Sequence, residues 1–479
     1  MRFALVDLHL KGRKANRDHT GGFGSMMHAT GLVGGAVSRL KMRLIDLPLS
    51  SFGFAAALLR GAGHEVDFRH GPTGGADVIL IASSMHCHED EIAFARAERD
   101  RWPKARIGFY GPFVQTCPEK FEQDADFVIF SEMESALLAF LEGAHDFEGR
   151  LDYGVVADLE RLPVPDWDGL DRRRFSYFPL LHRRPLLTVQ ASRGCSFDCD
   201  FCPYMVSQTK RHRLRPVESV LDEIQNDIER YGVRSILFRD IVFGLKKNHA
   251  RQIAEGILNR GLRVDWACET RVDCLNEELI DLMVESGFRG TNLGIESGDL
   301  DLLRRNGRPP PTLARQWQMI AYLHKQRVRV NGFYILGMMG DTPQSMDQTV
   351  RYASYMNTVG AQFCTMTPFP GTRFFETVKD SLLETDFTRF TEYRPVVRID
   401  SATPSEIERA AARAYRRYYL RPSWIARHGL STPWRAARCL LPVRATTRDV
   451  APPTTDSDGA QHREVSEPTA APIKHRKAA

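Results

Sequence analysis

The chain has 479 residues, 43% of them hydrophobic and 26% charged, with 65 Lys and Arg against 60 Asp and Glu. That length carries two or three domains with cores of their own, and so small a basic excess does not specify nucleic acid. No run of about 18 apolar residues occurs, which excludes a transmembrane helix, and Met1-Arg-Phe meets a charge before a secretory apolar segment can form.

Through residue 145, apolar runs alternate with helical stretches. Arg2–Val6, the segment entered through Gly63-His-Glu-Val66, Ala76–Ala82, Ala105–Tyr110 and Ala125–Phe130 read as buried strands, and 51–62, 89–102 and 133–143 as helices. The alternation predicts a parallel sheet with helices on both faces, a doubly wound, Rossmann-like α/β domain over 1–145. Ligands of such sheets sit beyond the carboxyl ends of the strands, so the loops 7–45, 83–91 and 111–117 are the ones to watch. The Gly- and Met-rich stretch 13–45 lacks a clean period, and its Gly21-Gly-Phe-Gly-Ser25 could let backbone approach a cofactor or substrate. Residues 146–179, with Pro163, Pro165 and Trp167, read as an irregular connector.

Cys195, Cys199 and Cys202 follow the apolar run Pro185–Gln190 in a C-x3-C-x2-C arrangement. Three soft thiolates on one loop can converge on one inorganic centre. A [4Fe–4S] cluster held this way leaves one iron open to a small molecule. Zinc would require a fourth ligand, for which His212 is available. The spacing favours the open cluster. Nine cysteines, an odd number with three clustered, do not resemble a disulfide framework and suit a reducing cytoplasm. Helices at 216–231, 247–259, 276–286, 312–326 and 343–358 then alternate with strands at 235–238, 263–267, 290–294, 328–336 and 362–367. With the strand before the cysteines this makes about six βα units over 180–395, short of the eight of a TIM barrel, with active residues expected at the carboxyl ends of the strands. In a helical extension over 396–445, the basic helix Pro404–Leu420 carries Tyr415, Tyr418 and Tyr419. It reads as a cap packing its aromatic side on the barrel, with a phosphate-bearing substrate, a membrane surface or nucleic acid as alternative partners of its basic residues. The composition of 446–479 predicts a disordered tail.

Gly194-Cys-x3-Cys-x-Phe-Cys202, with an aromatic residue before the last Cys, resembles the signature of radical S-adenosylmethionine (SAM) enzymes. Leu58–Val66, Gly111-Pro-Phe-Val114 and Ala125–Glu134 resemble the cobalamin-binding domain of the B12-dependent subfamily. The resemblance implies a cobalamin-binding domain followed by a partial (β/α)6 TIM-type barrel, with a [4Fe–4S] cluster on Cys195, Cys199 and Cys202, SAM on the open iron and cobalamin above the first sheet. By the same resemblance Phe201 lies near the adenosyl group. Asp240, in Asp240 to Phe243, binds the SAM ammonium, Arg271 its carboxylate, and Glu296, in Gly294-Ile-Glu-Ser-Gly298, a hydroxyl or amine. Asp7-Leu-His-Leu-Lys-Gly12 matches the D-x-H-x-x-G by which other cobalamin proteins present a His to cobalt, which makes His9 the candidate ligand. His86 and His88 read as polar lining. No catalytic side chain is singled out.

The activity implied is that of a cytoplasmic cobalamin-dependent methyltransferase, acting through a 5′-deoxyadenosyl radical on an unactivated carbon of a small molecule or natural product. It would draw electrons from an external donor such as flavodoxin or ferredoxin. Cyclisation or rearrangement with the same cofactors is the first rival. A tRNA methylthiotransferase would need three further cluster cysteines in the first domain, where only Cys87 and Cys117 occur. A zinc-stabilised binding module is the non-enzymatic reading.

Overall fold

The computed structural model describes residues 1–9, 15–17 and 19–440. Gly12 of the D-x-H-x-x-G phrase and the tail 446–479 lie outside the described residues. Strands β1 (Arg2–Val6), β2 (Glu65–Arg69), β3 (Val78–Ala82), β4 (Arg106–Tyr110), β5 (Phe127–Phe130) and β6 (Gly149–Asp152) form one parallel sheet in the order β2-β1-β3-β4-β5-β6. Val78-Ile-Leu-Ile-Ala82 is apolar throughout because both faces of the sheet are covered. Phe3, Leu5 and Leu80 pack with the helices Ser50–Gly61 and Met133–Leu141 on one face. Val6, Ile81 and Phe109 pack toward helix His88–Arg101 on the other.

A second sheet joins β7 (Leu186–Val189), β8 (Ser235–Phe238), β9 (Asp265–Thr270), β10 (Phe288–Glu296), β11 (Arg329–Leu336) and β12 (Gly360–Thr365), all parallel and in sequence order. Helices Val217–Tyr231, Lys247–Asn259, Glu277–Glu285, Leu313–Lys325 and Pro343–Met356 connect them. Local signals set their ends: the first stops at Gly232 in the left-handed region, and the third starts where Asn276 accepts from the Leu279 amide. β7 and β12 do not pair, so the barrel is open. The apolar core on the first face of the first sheet runs on without a break into the barrel, through Leu187, Phe238 and Trp266.

An edge strand exposes unpaired amides. Here helix Pro404–Tyr419 covers them. The Ala361 and Phe363 amides of β12 donate to the hydroxyls of Tyr419 and Tyr415 at 3.0 and 3.2 Å, and Tyr418 donates to the Thr358 carbonyl at 2.6 Å. The aromatic side of this helix therefore caps the sheet, while Arg413, Arg416 and Arg417 stay exposed. Two elements differ from the sequence reading. Gly31–Leu44 is a helix inside the stretch read as aperiodic, because its glycines hide the pattern. A Cβ on Gly34 would come within 3.3 Å of both Ala29 and Tyr415. β6 lies in the supposed connector and buries only Leu151, which leaves no alternation to read.

Tyr419→Phe leaves the Ala361 amide unpaired and is expected to lower the unfolding free energy by about 1–3 kcal/mol, measured by denaturant titration. Arg416→Ala, on the exposed side of the same helix, is expected to change it by less than about 0.5 kcal/mol.

Candidate active site

The chain leaves β7 and turns at Ser192-Arg193, which pairs antiparallel with Arg213-Leu214 and closes a loop that carries the three thiols. Gly194 makes the closure possible. Its φ is +81°, and a Cβ there would lie 2.1 Å from the Arg211 carbonyl oxygen. Carboxylates fix the base of the loop from two sides. From the first domain, Glu134 takes Arg193 at 2.7 Å, and Glu132 takes Arg193 at 3.2 Å and Arg213 at 2.7 Å, all buried. Burial pushes the Glu132 carboxyl up, but Arg193 and Arg213 outweigh it and hold it below the ordinary range. From the barrel, Asp240 accepts from the Ala191 amide at 2.8 Å and from the Ser192 hydroxyl. Gly21, at φ +65°, presses on the far end of the loop, where a Cβ would lie 2.8 Å from the Tyr204 amide nitrogen. The glycine cluster thus allows close approach to protein backbone.

At the carboxyl ends of the strands lies a cavity of about 270 Å³, lined by Cys195, Cys199, Cys202, Phe201, Arg271 and Glu296 among others. Arg271 stacks 3.8 Å from the Phe197 ring centroid and gives Nε and Nη2 to Asp273 and the Pro309 carbonyl, while its buried Nη1 has no partner. A register shift at Gly294/Glu296 and a φ of +66° turn Glu296 at the end of β10, where it meets Arg308 at 3.2 Å. Arg308 also donates to the Gly294 carbonyl at 2.6 Å and toward Cys199 Sγ at 3.8 Å. Burial pushes the Cys202 thiol up to about 12, so a cationic metal centre is what makes its thiolate favourable.

Among the described residues, the three thiols do not gather to within 4.8 Å of one another, with or without His212. A single zinc, with bonds of about 2.3 Å, would draw its sulfurs to roughly 3.8 Å. His212 lies instead beside His249 and Lys246.

The structure brings Phe201, Arg271 and Glu296 together with the cysteines. Asp240 lies under the loop and does not line the cavity, and burial raises its carboxyl to about 6. His9 is absent from the cavity linings. Its Nε2 pairs with Asp7 at 3.0 Å, and Arg174 donates to its Nδ1 at 2.5 Å. His86 and His88 are buried against the carbonyls of Gly24 and Met85. Arg308 escaped the sequence reading because Asn306-Gly-Arg-Pro309 carries no motif. A second, smaller crevice of about 120 Å³ lies between the sheets, lined by Ser51, Gly111 and Ser131 on one side and Gln190 and Arg193 on the other. Tyr204 lines both spaces.

Residues 189–353 match the radical SAM superfamily. The chain carries a radical SAM domain over those residues. An uncharacterized methyltransferase of Pyrococcus horikoshii is 29% identical to this chain over 394 residues, 77% of this chain and 84% of that one. The bacteriochlorophyllide d C-12(1)-methyltransferase of Chlorobaculum tepidum is 27% identical over 211 residues, 43% of this chain and 46% of that one, so the chain spans under half of it. In fold, the chain is similar to the radical SAM methyltransferase TsrM of Kitasatospora setae, solved with cobalamin and a [4Fe–4S] cluster bound. The TM-score is 0.58 at 15% identity, covering 79% of this chain and 74% of that one. No helix among the described residues is long and apolar enough to cross a membrane.

Breaking a buried pair leaves uncompensated charge. Glu132→Gln is expected to cost about 3–5 kcal/mol, read from denaturant unfolding. Because Glu132 is held below its ordinary pKa of 4.5, its stabilisation is complete above that pH and lost as acidification passes through the folded value. The variant should therefore show a flatter stability profile below about pH 4.5 than the parent.

Proposed function

We propose that the chain is a cobalamin-dependent radical SAM methyltransferase acting on carbon of a small-molecule substrate. The observation that carries this reading is the unpartnered Arg271 Nη1 on the same cavity wall as three loop thiols. The donor set fits the cofactors. When bound, the [4Fe–4S] cluster supplies the electron that cleaves SAM to methionine and a 5′-deoxyadenosyl radical, and cobalamin supplies the methyl group. Cys195, Cys199 and Cys202 would hold three corners of the cluster, and Arg308 offsets charge at Cys199. The guanidinium plane of Arg271 suits the SAM carboxylate. Glu296, held against Arg308 on the cavity wall, would accept from a hydroxyl or amine of SAM, with Phe201 beside the adenosyl group. Asp240, with both carboxylate oxygens on the loop base, is a positioning residue. Phe197, Phe333 and Met366 make much of the remaining wall apolar and exclude water.

Cobalamin would be held beyond the carboxyl ends of β4 and β5, where Gly111 and Ser131 border the crevice between the sheets. His9 is engaged elsewhere on both ring nitrogens, so we do not assign it to cobalt. A one-electron donor of flavodoxin or ferredoxin type would reduce the cluster.

The test is anaerobic turnover of reconstituted protein with SAM, reductant and cobalamin. S-adenosylhomocysteine formed beside 5′-deoxyadenosine supports methylation, whereas deoxyadenosine alone returns the reading to cyclisation or rearrangement. Replacing the three cysteines by Ala is expected to remove iron, sulfide and all SAM cleavage. Arg271→Leu is expected to weaken SAM binding by roughly 10- to 100-fold, measured by equilibrium dialysis, with iron content unchanged.

A further inference from the structure

A polar layer crosses the barrel interior, starting just past the end of β8 and near the end of β9. Arg239 pairs with Glu269 at 2.6 Å, Asn292 donates to Glu269 at 3.2 Å, and Asn331 donates to Asn292 Oδ1 at 3.0 Å. At the open seam the layer continues through Gln362 of β12 to Lys41, which comes from helix Gly31–Leu44 and donates to Gln362 Oε1 at 3.3 Å. Glu269, Asn292, Asn331, Gln362 and Lys41 all line the cavity that holds the thiols.

Two groups in this layer are under-satisfied. Lys41 is only 5% exposed, yet its ammonium, with three protons to donate, has Gln362 as its one hydrogen-bond acceptor and no carboxylate within ion-pair distance among the described residues. Glu392 lines the same cavity but accepts from Ser25 at 2.7 Å and Thr20 at 3.2 Å instead. Asn331 Oδ1 is buried without a partner. A buried, unpaired ammonium is costly, and burial pushes Lys41 down to about 8 although nearby Cys364 acts in the opposite direction. Leu or Met would pack such a helix face at no such cost. Nothing assigned above to SAM or corrin uses Lys41.

We infer that Lys41 receives an anionic group of the substrate, a carboxylate or a phosphoryl-type group, on a molecule that also offers a hydroxyl or amide proton to Asn331. Met27, Phe178 and Leu180 line the same space and suit a hydrocarbon portion. The inference rests on the reading of this cavity as the substrate site of a radical SAM enzyme, and it names the substrate's class.

The experiment compares hexanoate, hexylphosphonate and hexan-1-ol as probes, by calorimetry on the anaerobically reconstituted full chain. Both anions are expected to bind at least about tenfold more tightly than the alcohol. The stronger of the two identifies the head group. In Lys41→Met, checked for melting temperature and iron content, the anions should fall to the affinity of the alcohol. Equal binding of alcohol and anions by the wild type, or an undiminished anion preference in Lys41→Met, overturns the inference. Should the variant fail to fold, the wild-type comparison decides alone. Reductant-driven formation of 5′-deoxyadenosine in the same wild-type preparation is read separately. Its absence defeats the radical reading, whereas its presence with no anion preference defeats only the role of Lys41.

Discussion

The guanidinium groups of Arg193 and Arg213 are sealed from water and meet carboxylates that come from the other sheet. Glu132 and Glu134 follow β5, while the two arginines bracket the thiol loop at the end of β7, so each half of the molecule holds charges that only the other half neutralises. The desolvation of such groups is tolerable only when the geometry is met in full. The position of three thiols relative to the first sheet is therefore set by ion pairing as well as by apolar contact. The crevice between the sheets, and its distance from the larger cavity, follow from that setting. Phe54 lies beneath Arg193 at 5.4 Å, which places an apolar floor under one of these charges.

An open barrel has a second problem at its seam. β12 has no strand beyond it, and the interior behind it would be wet. Tyrosine hydroxyls answer the backbone of the edge, and helix Gly31–Leu44, packed against the tyrosine-bearing helix, closes the space. The closing helix belongs to the first domain and brings Lys41 with it. The cavity is thus built by both halves: the thiols, Arg271 and Glu296 come from strand ends of the barrel, and Lys41, Ser25 and Met27 from the long insertion after β1.

Much of this was legible in the sequence because the elements that matter are buried on two sides. Val78–Ala82 and Leu186–Val189 are apolar throughout, as parallel strands covered by helices must be, and the cysteine spacing needs no tertiary context to be read. Arg271 and Glu296 stand at strand ends, where the family resemblance points to them. What stayed hidden depends on contacts distant in sequence. Gly31–Leu44 looks aperiodic because Gly34 makes room for a tyrosine some 380 residues later. Asp240 reads as a ligand until its two acceptors are seen to serve the loop base. His9 fits a cobalt motif, but Arg174, far along the chain, occupies its second nitrogen. Arg308 has no neighbours in sequence to mark it.

The split ion cluster also bears on how the chain is made. Glu132 and Glu134 leave the ribosome well before Arg193 and Arg213, and the first sheet can assemble while its carboxylates still face water. Those side chains stay hydrated during that interval, since the two arginines that pair with them have not yet emerged. Only when the second arginine is extruded does dehydration of all four become favourable, so docking of the cysteine segment is timed to follow its own synthesis.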